Sequence, residues 1–76
     1  MDSSIRLHIL LNCWDGGSLL YEIEKAKLGK FSSKTCHLGD NSCTLTVLSK
    51  ITHVDNIRMI LDRKSYAKID QITYIN

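Results

Sequence analysis

Three residues around one turn carry groups that could bind a metal ion. Cys36, His37 and Cys43 supply two thiols and an imidazole, which are ligands that suit zinc. Adjacent side chains in a strand point to opposite faces of a sheet, so Cys36 and His37 would not converge on one ion. Cys36 and Cys43 are expected as diagonal neighbours on the core face, where cysteine packs as a small hydrophobe. The sequence therefore predicts no metal site and no cofactor.

Other chemically versatile residues also lack a catalytic arrangement. His8 and His37 fall on strands that a third strand separates, so we do not expect them to pair within one subunit. Trp14 is interpreted either as a lid over the core or as an interface anchor. Gly16 and Gly17 lack the lysine and the longer glycine spacing of a phosphate loop. Without a nucleophile–base pair or paired carboxylates, the chain is not expected to be an enzyme.

Composition points to one small globular domain over residues 1–76. The chain is 43% hydrophobic and 24% charged, which is typical of a folded domain. A net charge of +2 is too small for the concentrated basic face of a nucleic-acid-binding protein. An odd number of cysteines favours reduced thiols, and the apolar runs are too short for a signal peptide or a membrane span. We therefore expect a cytoplasmic protein without direct nucleic-acid or membrane contact.

The chain alternates between extended and helical patterns. Residues 5–12 alternate apolar and polar side chains with period two, which predicts a strand. Residues 18–28 place apolar side chains at helical spacing, and Gly29 is expected to end that helix in a left-handed conformation. A capping box at Thr52–Asp55 predicts the start of a second helix. Its apolar stripe is predicted to be Val54, Ile57, Ile60 and Leu61.

A β-hairpin is predicted near the middle of the chain. Two extended runs, the second rich in Thr, Val, Leu and Ile, flank the turn formers at residues 39–42. We place the tip of the hairpin at Asp40–Asn41, which sets Cys36 opposite Leu45. The apolar face of the hairpin is then predicted to consist of Cys36, Leu38, Cys43, Leu45 and Val47.

A last strand over residues 67–75 completes the set of elements. Ile69 and Ile72 fall on opposite faces of that strand, which predicts either a bulge or burial of both faces. The order βαββαβ, with two crossover helices, predicts an α+β, ferredoxin-like fold with a four-stranded antiparallel sheet and both helices on one face. The opposite, open face would expose Arg6, His8, Leu10, Thr35, His37, Thr44, Thr46 and Leu48.

This open sheet face is the main physical clue to function. It carries two leucines among polar side chains, and a domain of this size gains stability from additional burial. We interpret it as a homodimer interface, with a solvated antiparallel face as the alternative. The predicted interface residues are Arg6, His8, Leu10, His37, Thr44, Thr46 and Leu48.

Four segments carry a family resemblance: I-R-L-H-I-L-L-N-C in the first strand, C-H-L-G-D-N-S-C-T-L-T-V-L in the hairpin, I-T-H-V-D-N-I-R-M-I-L-D-R in the second helix and I-D-Q-I-T-Y-I in the last strand. They resemble the effector-binding (RAM) domain of the leucine-responsive regulatory protein (Lrp)/AsnC family, in its stand-alone form without a helix-turn-helix. The resemblance implies a homodimer or larger homo-oligomer that binds an amino acid or similar small effector at a subunit interface. It also implies a transcription regulator as a partner.

The resemblance assigns the effector pocket to the glycine-bearing turn, formed by Gly39, Asp40, Asn41 and Ser42. Ser42 stands where the family has an acidic residue, although Asp40 supplies a carboxylate nearby. One alternative is therefore a protein-interaction module of the same fold with no small-molecule ligand. A further alternative is an ACT-like regulatory domain, which shares the order of elements and binds amino acids through a glycine-containing loop after the first strand.

Overall fold

The structure is a computed structural model that describes residues 3–12 and 16–75. Its elements are β1 (Ser4–Asn12), α1 (Gly16–Lys25), β2 (Gly29–His37), β3 (Ser42–Lys50), a short 3-10 turn (Ile51–His53), α2 (Val54–Asp62) and β4 (Ala67–Tyr74). The interpretations of Trp14 concern a residue outside the described ranges. No helix within those ranges is both long enough and apolar enough to span a membrane.

The four strands form one antiparallel sheet in the order β2-β3-β1-β4. This sheet and the two helices confirm the predicted α+β class, and they are compatible with a ferredoxin-like fold. The two central strands are β3 and β1, and β1 pairs with β3 on one side and with β4 on the other. Period-two alternation in β1 buries its odd-numbered side chains, as the sequence predicts: Ile5, Leu7, Ile9 and Leu11.

The hydrophobic core lies between one face of the sheet and the two helices. Helix α1 contributes Leu19 and Ile23, while Ala26, which falls within the helix predicted over residues 18–28, lies exposed beyond the end of the helix. The predicted stripe of α2 is confirmed, since all four of its members are buried: Val54, Ile57, Ile60 and Leu61. The helix itself begins at Val54, after helical backbone has already started in the 3-10 turn, so the capping-box boundary is displaced.

The predicted bulge in the last strand is confirmed. The pairing of β1 with β4 shifts between His8 and Ile9, where Asp70 is the extra residue. As a result, Ile69 lies opposite Ile9 and Ile72 opposite Leu7, and both isoleucines pack against the core. Because the bulge inserts one residue into the strand, Ile69 and Ile72 lie on the same face of the sheet, although strict alternation would place them on opposite faces.

The predicted hairpin register is wrong by two residues. Cys36 lies opposite Cys43 instead of Leu45, and the connection is the four-residue turn 38–41. Leu38, predicted to share the apolar face, lies in that turn and is fully exposed. The left-handed position in the turn is taken by Asn41, with φ of 56°, and an asparagine tolerates this conformation better than most residues.

The prediction for Gly29 is also wrong. Helix α1 ends in a Schellman arrangement in which Lys27 has a left-handed φ of 59°, with Leu28 N–H donating to the Ile23 carbonyl. Gly29 instead begins β2 and is required by close packing. A Cβ there would lie 2.5 Å from Val47 Cγ1 and 3.0 Å from the Leu48 carbonyl oxygen.

Strand β2 is an exposed edge of the sheet. Every residue from Lys30 to His37 is exposed, although its partner β3 is largely buried. The strand carries Lys30 and Lys34 and a bulge near Ser32, which are features that discourage pairing with another chain. Backbone pairing with β3 is therefore the main attachment of β2 to the domain.

Candidate functional site

The open sheet face gathers all the residues predicted for the dimer interface. Across the central pair of strands, Arg6 lies opposite Leu48, His8 opposite Thr46 and Leu10 opposite Thr44. His37 joins this face from β2, where it pairs with Ser42. The predicted residues thus form one continuous surface, because directly opposite residues of antiparallel strands place their side chains on the same face of the sheet.

Hydroxyl groups hold both histidines of this surface. His8 Nε2 lies 3.2 Å from Thr73 Oγ1 on β4, and His8 Nδ1 lies 3.4 Å from Thr46 Oγ1 on β3. His37 Nε2 lies 3.0 Å from Thr44 Oγ1. His8 is therefore bonded to both of its neighbouring strands and His37 to β3, the strand that lies between the two histidines.

The open face is strongly cationic. Its alternating positions carry Arg6, Lys30, Lys50 and Lys68, all exposed. No aspartate or glutamate occupies a paired position on this face of the described strands. The three lysines were not predicted for this face, because they lie near the ends of the strands, beyond the central residues whose alternation defines it. Extending the alternation of β3 to Lys50, and correcting β4 for its bulge, would have found two of them.

The turn predicted to bind an effector is exposed and internally bonded. The Ser42 hydroxyl donates to Asp40 Oδ1 at 2.7 Å, and the Ser42 amide donates to the same oxygen at 3.3 Å. These bonds form an Asx-type turn. The Ser42 hydroxyl, assisted by the Ser42 amide, lowers the pKa of Asp40, and the neighbouring His37 acts in the same direction. The Asp40 carboxylate is thus held in its ionised form beside the sheet.

A small pocket of about 360 Å³ adjoins this turn, between the end of β1 and the segment that enters β4. Its walls are Leu10, Leu11, Asn12, Ser42, Ser65, Tyr66, Ala67 and Lys68. Of the four turn residues predicted to bind an effector, the structure brings Ser42 to this pocket. Asn12, Tyr66 and Lys68 were missed, because the approach of β1 to β4 is not visible in the local sequence pattern.

A larger groove of about 1030 Å³ lies at the opposite end of the sheet. Leu28, Phe31 and Leu48 form apolar parts of its wall, and Lys27 and Lys50 are among its cations. Two side-chain hydrogen bonds fix the backbone of the groove wall at Leu28. The Leu28 carbonyl accepts a hydrogen bond from the Ser49 hydroxyl and another from His53 Nδ1–H, 3.2 Å away.

The arrangement offers binding surfaces and hydrogen-bonding groups. Among residues 3–12 and 16–75, no three His, Cys, Asp or Glu side chains converge as metal ligands. Cys36 and His37 diverge to opposite faces, as the pleat dictates. Comparison of the chain with protein-family models, with curated proteins and with solved structures finds no match.

Proposed function

We propose that the chain is a homo-oligomeric regulatory module of the ferredoxin-like fold that binds an amino acid or similar small effector at a subunit interface. One observation carries the proposal: Leu10 belongs both to the open sheet face and to the pocket beside the turn. A second subunit packed on that face would therefore close over the pocket. Effector binding and assembly would then be coupled, because the ligand would favour the associated state through differential affinity.

The composition of the open face suits a small protein–protein interface, with aliphatic side chains among short polar ones. Leu48 is 40% exposed and Leu10 is half-buried, so two aliphatic side chains remain available for burial. The threonines between them are short and already bonded to the histidines, and ordering them costs little side-chain entropy. Lys30, Lys50 and Lys68 lie towards the rim, where long side chains can keep their charges in water.

The pocket beside the turn has groups suited to an amino acid. Lys68 offers a cation for a carboxylate, while Asn12 and Ser42 offer an amide and a hydroxyl. Leu10 and Tyr66 supply apolar wall. A volume of about 360 Å³ is at the lower end of the range for small-molecule sites. The resemblance to stand-alone Lrp/AsnC domains, a cytoplasmic location and a transcription regulator as partner belong to the same proposal.

Assembly is tested by light scattering after size exclusion over a range of salt concentrations. Because four cations share the open face, a homodimer should tighten as salt screens their repulsion. Leu48→Lys, which adds a further cation to the face, should shift the protein towards monomer. Met59→Lys is the matched control, since Met59 is 61% exposed on α2, away from the sheet. A wild-type protein that remains monomeric at high micromolar concentration would contradict the proposed assembly.

Effector binding is tested by the change in thermal midpoint with each common amino acid. One of them should raise the midpoint of the wild type, and Lys68→Gln should abolish that rise. Lys34→Gln is the control, because Lys34 is an exposed lysine on β2 that does not line the pocket. A response that survives Lys68→Gln unchanged would place the effector elsewhere.

The second candidate is a protein-interaction module of the same fold without a small-molecule ligand. The internal bonds of the turn favour it, because Asp40 already has Ser42 as its partner. An oligomer indifferent to every amino acid would support this candidate. A complex with an acidic protein surface would weaken with salt, the opposite of the dependence expected for the homodimer.

A further inference from the structure

The corrected hairpin register brings two thiols face to face. Cys36 of β2 lies directly opposite Cys43 of β3, one residue pair away from the turn. In an antiparallel ladder, directly opposite residues have Cα atoms about 4.5–5.5 Å apart. Disulfides span Cα separations of about 4.4–6.8 Å, so a bond between these cysteines needs little backbone movement.

The two thiols differ sharply in accessibility. Cys36 is exposed at the sheet edge, whereas Cys43 is fully buried in the core. An oxidant in solution can therefore reach Cys36 and not Cys43. A sulfur attached to Cys36, however, would lie across the ladder from the buried thiol.

We propose that Cys36 and Cys43 form a reversible thiol–disulfide site whose oxidant is a small-molecule disulfide of the glutathione type. The Cys36 thiolate attacks one sulfur of the oxidant, giving a mixed disulfide and releasing one small thiol. The Cys43 sulfur then attacks Cys36 Sγ, closing the Cys36–Cys43 bond and releasing the second small thiol. Two protein thiols are oxidised, the oxidant's disulfide is reduced to two thiols, and both protons leave with the products.

The bond would act on the least supported part of the domain. It would tie the exposed strand β2 to β3 and close a ring around the turn 38–41, next to the Asp40–Ser42 bonds. Constraining this loop should suppress local opening of β2. Because Cys43 is a core residue, both sulfurs lie on the helix side of the sheet. The site therefore stands apart from the proposed subunit interface on the opposite face.

The test uses the full chain with Cys13→Ser as background, since that leaves Cys36 and Cys43 as the thiols. After incubation with oxidised glutathione, intact mass and peptide mapping should show a Cys36–Cys43 disulfide with no retained glutathione. Added Cys43→Ser should trap glutathione on Cys36, whereas added Cys36→Ser should stay unmodified over the same time. Oxidised protein should show about tenfold or greater slowing of amide hydrogen exchange in β2, reversed by dithiothreitol.

Two results would overturn the proposal. In the first, the Cys13→Ser chain stops at a glutathione adduct or forms only disulfides between chains. In the second, Cys43 reacts as fast as Cys36 when each is present alone. Circular dichroism of each variant establishes folding beforehand. If Cys43→Ser does not fold, Cys43→Ala replaces it as the trapping variant, because alanine introduces no polar group into the core.

Discussion

The close packing at Gly29 predicts opposite outcomes for one substitution at two glycines. At Gly29, the added methyl of alanine would lie 2.5 Å from Val47 Cγ1, about 1 Å inside a normal carbon–carbon contact. Val47 is fully buried and β-branched, so its methyl group cannot swing away. Overpacking of this kind costs about 1–3 kcal/mol. Reduced entropy of the unfolded chain offsets about 0.4–1 kcal/mol of that cost.

Gly29→Ala should therefore lower the free energy of unfolding by about 1–2 kcal/mol. Gly17→Ala is the matched control, because a Cβ placed at Gly17 in α1 has no atom within 4 Å apart from its chain neighbours and the backbone of its own helix. Alanine is the better helix former by about 0.5–1 kcal/mol, so this variant should be more stable than the wild type.

Urea unfolding followed by circular dichroism measures both variants, at one fixed protein concentration because oligomerisation would shift the apparent stability. For a domain of this size each kcal/mol moves the thermal midpoint by about 4–8 °C, so heat unfolding provides a second measurement. A Gly29→Ala protein as stable as the wild type would refute the packing assignment. If Gly17→Ala and Gly29→Ala lowered the free energy of unfolding equally, the cause would be the lost conformational freedom of glycine and not crowding against Val47.

Two further predictions concern the surroundings of α1. Lys27→Gly should raise the free energy of unfolding by about 1 kcal/mol in the same urea assay, because glycine adopts the left-handed φ of 59° without steric cost; an unchanged or lower value would contradict this account of the helix end. The hydrogen bond from Lys64 Nζ to Glu22 Oε2, at 2.6 Å, lowers the pKa of Glu22. Its stabilisation is thus present above the unfolded-state pKa and is lost as pH falls through the lowered one. The stability difference between wild type and Glu22→Gln should accordingly disappear in acid, whereas Asp55→Asn serves as a carboxylate control without this ion pair.

Much of the core was predictable because its pattern is local. The alternation of β1 identified Ile5, Leu7, Ile9 and Leu11, and helical spacing identified the buried face of α2. The bulge in β4 was one of two outcomes predicted from Ile69 and Ile72, which strict alternation would place on opposite faces. In each case the spacing of apolar residues along the sequence indicates which side chains are buried.

The errors concern the residues that connect the helices and strands, where more than one residue could adopt the left-handed conformation or form the turn. Gly29 was expected in a left-handed conformation at the end of α1, but Lys27 adopts it there, and Asn41 adopts it in the hairpin turn. Glycine preference is a weak guide where close packing also demands glycine, as it does at Gly29. The register error has a separate origin: the tip was placed at Asp40–Asn41, whereas the connection is the four-residue turn 38–41. This error concealed the direct pairing of Cys36 with Cys43.

The candidate site was only partly predictable. The centre of the open face followed from alternation, whereas its lysines, Lys30, Lys50 and Lys68, were not predicted. The pocket beside the turn brings Asn12 of β1 together with Tyr66 and Lys68, which are distant in sequence. No local pattern encodes that approach, because it depends on how β4 pairs with β1.

The central place of β1 has a consequence for biosynthesis. This apolar strand is translated before β3 and β4, its two partners in the sheet. Such distant pairings slow folding, and they cannot all form until β4 has been translated. Until then, the side chains of Ile5, Leu7 and Ile9, which are buried in the folded domain, are exposed to solvent. The nascent chain is therefore an expected client of chaperones that bind short aliphatic segments.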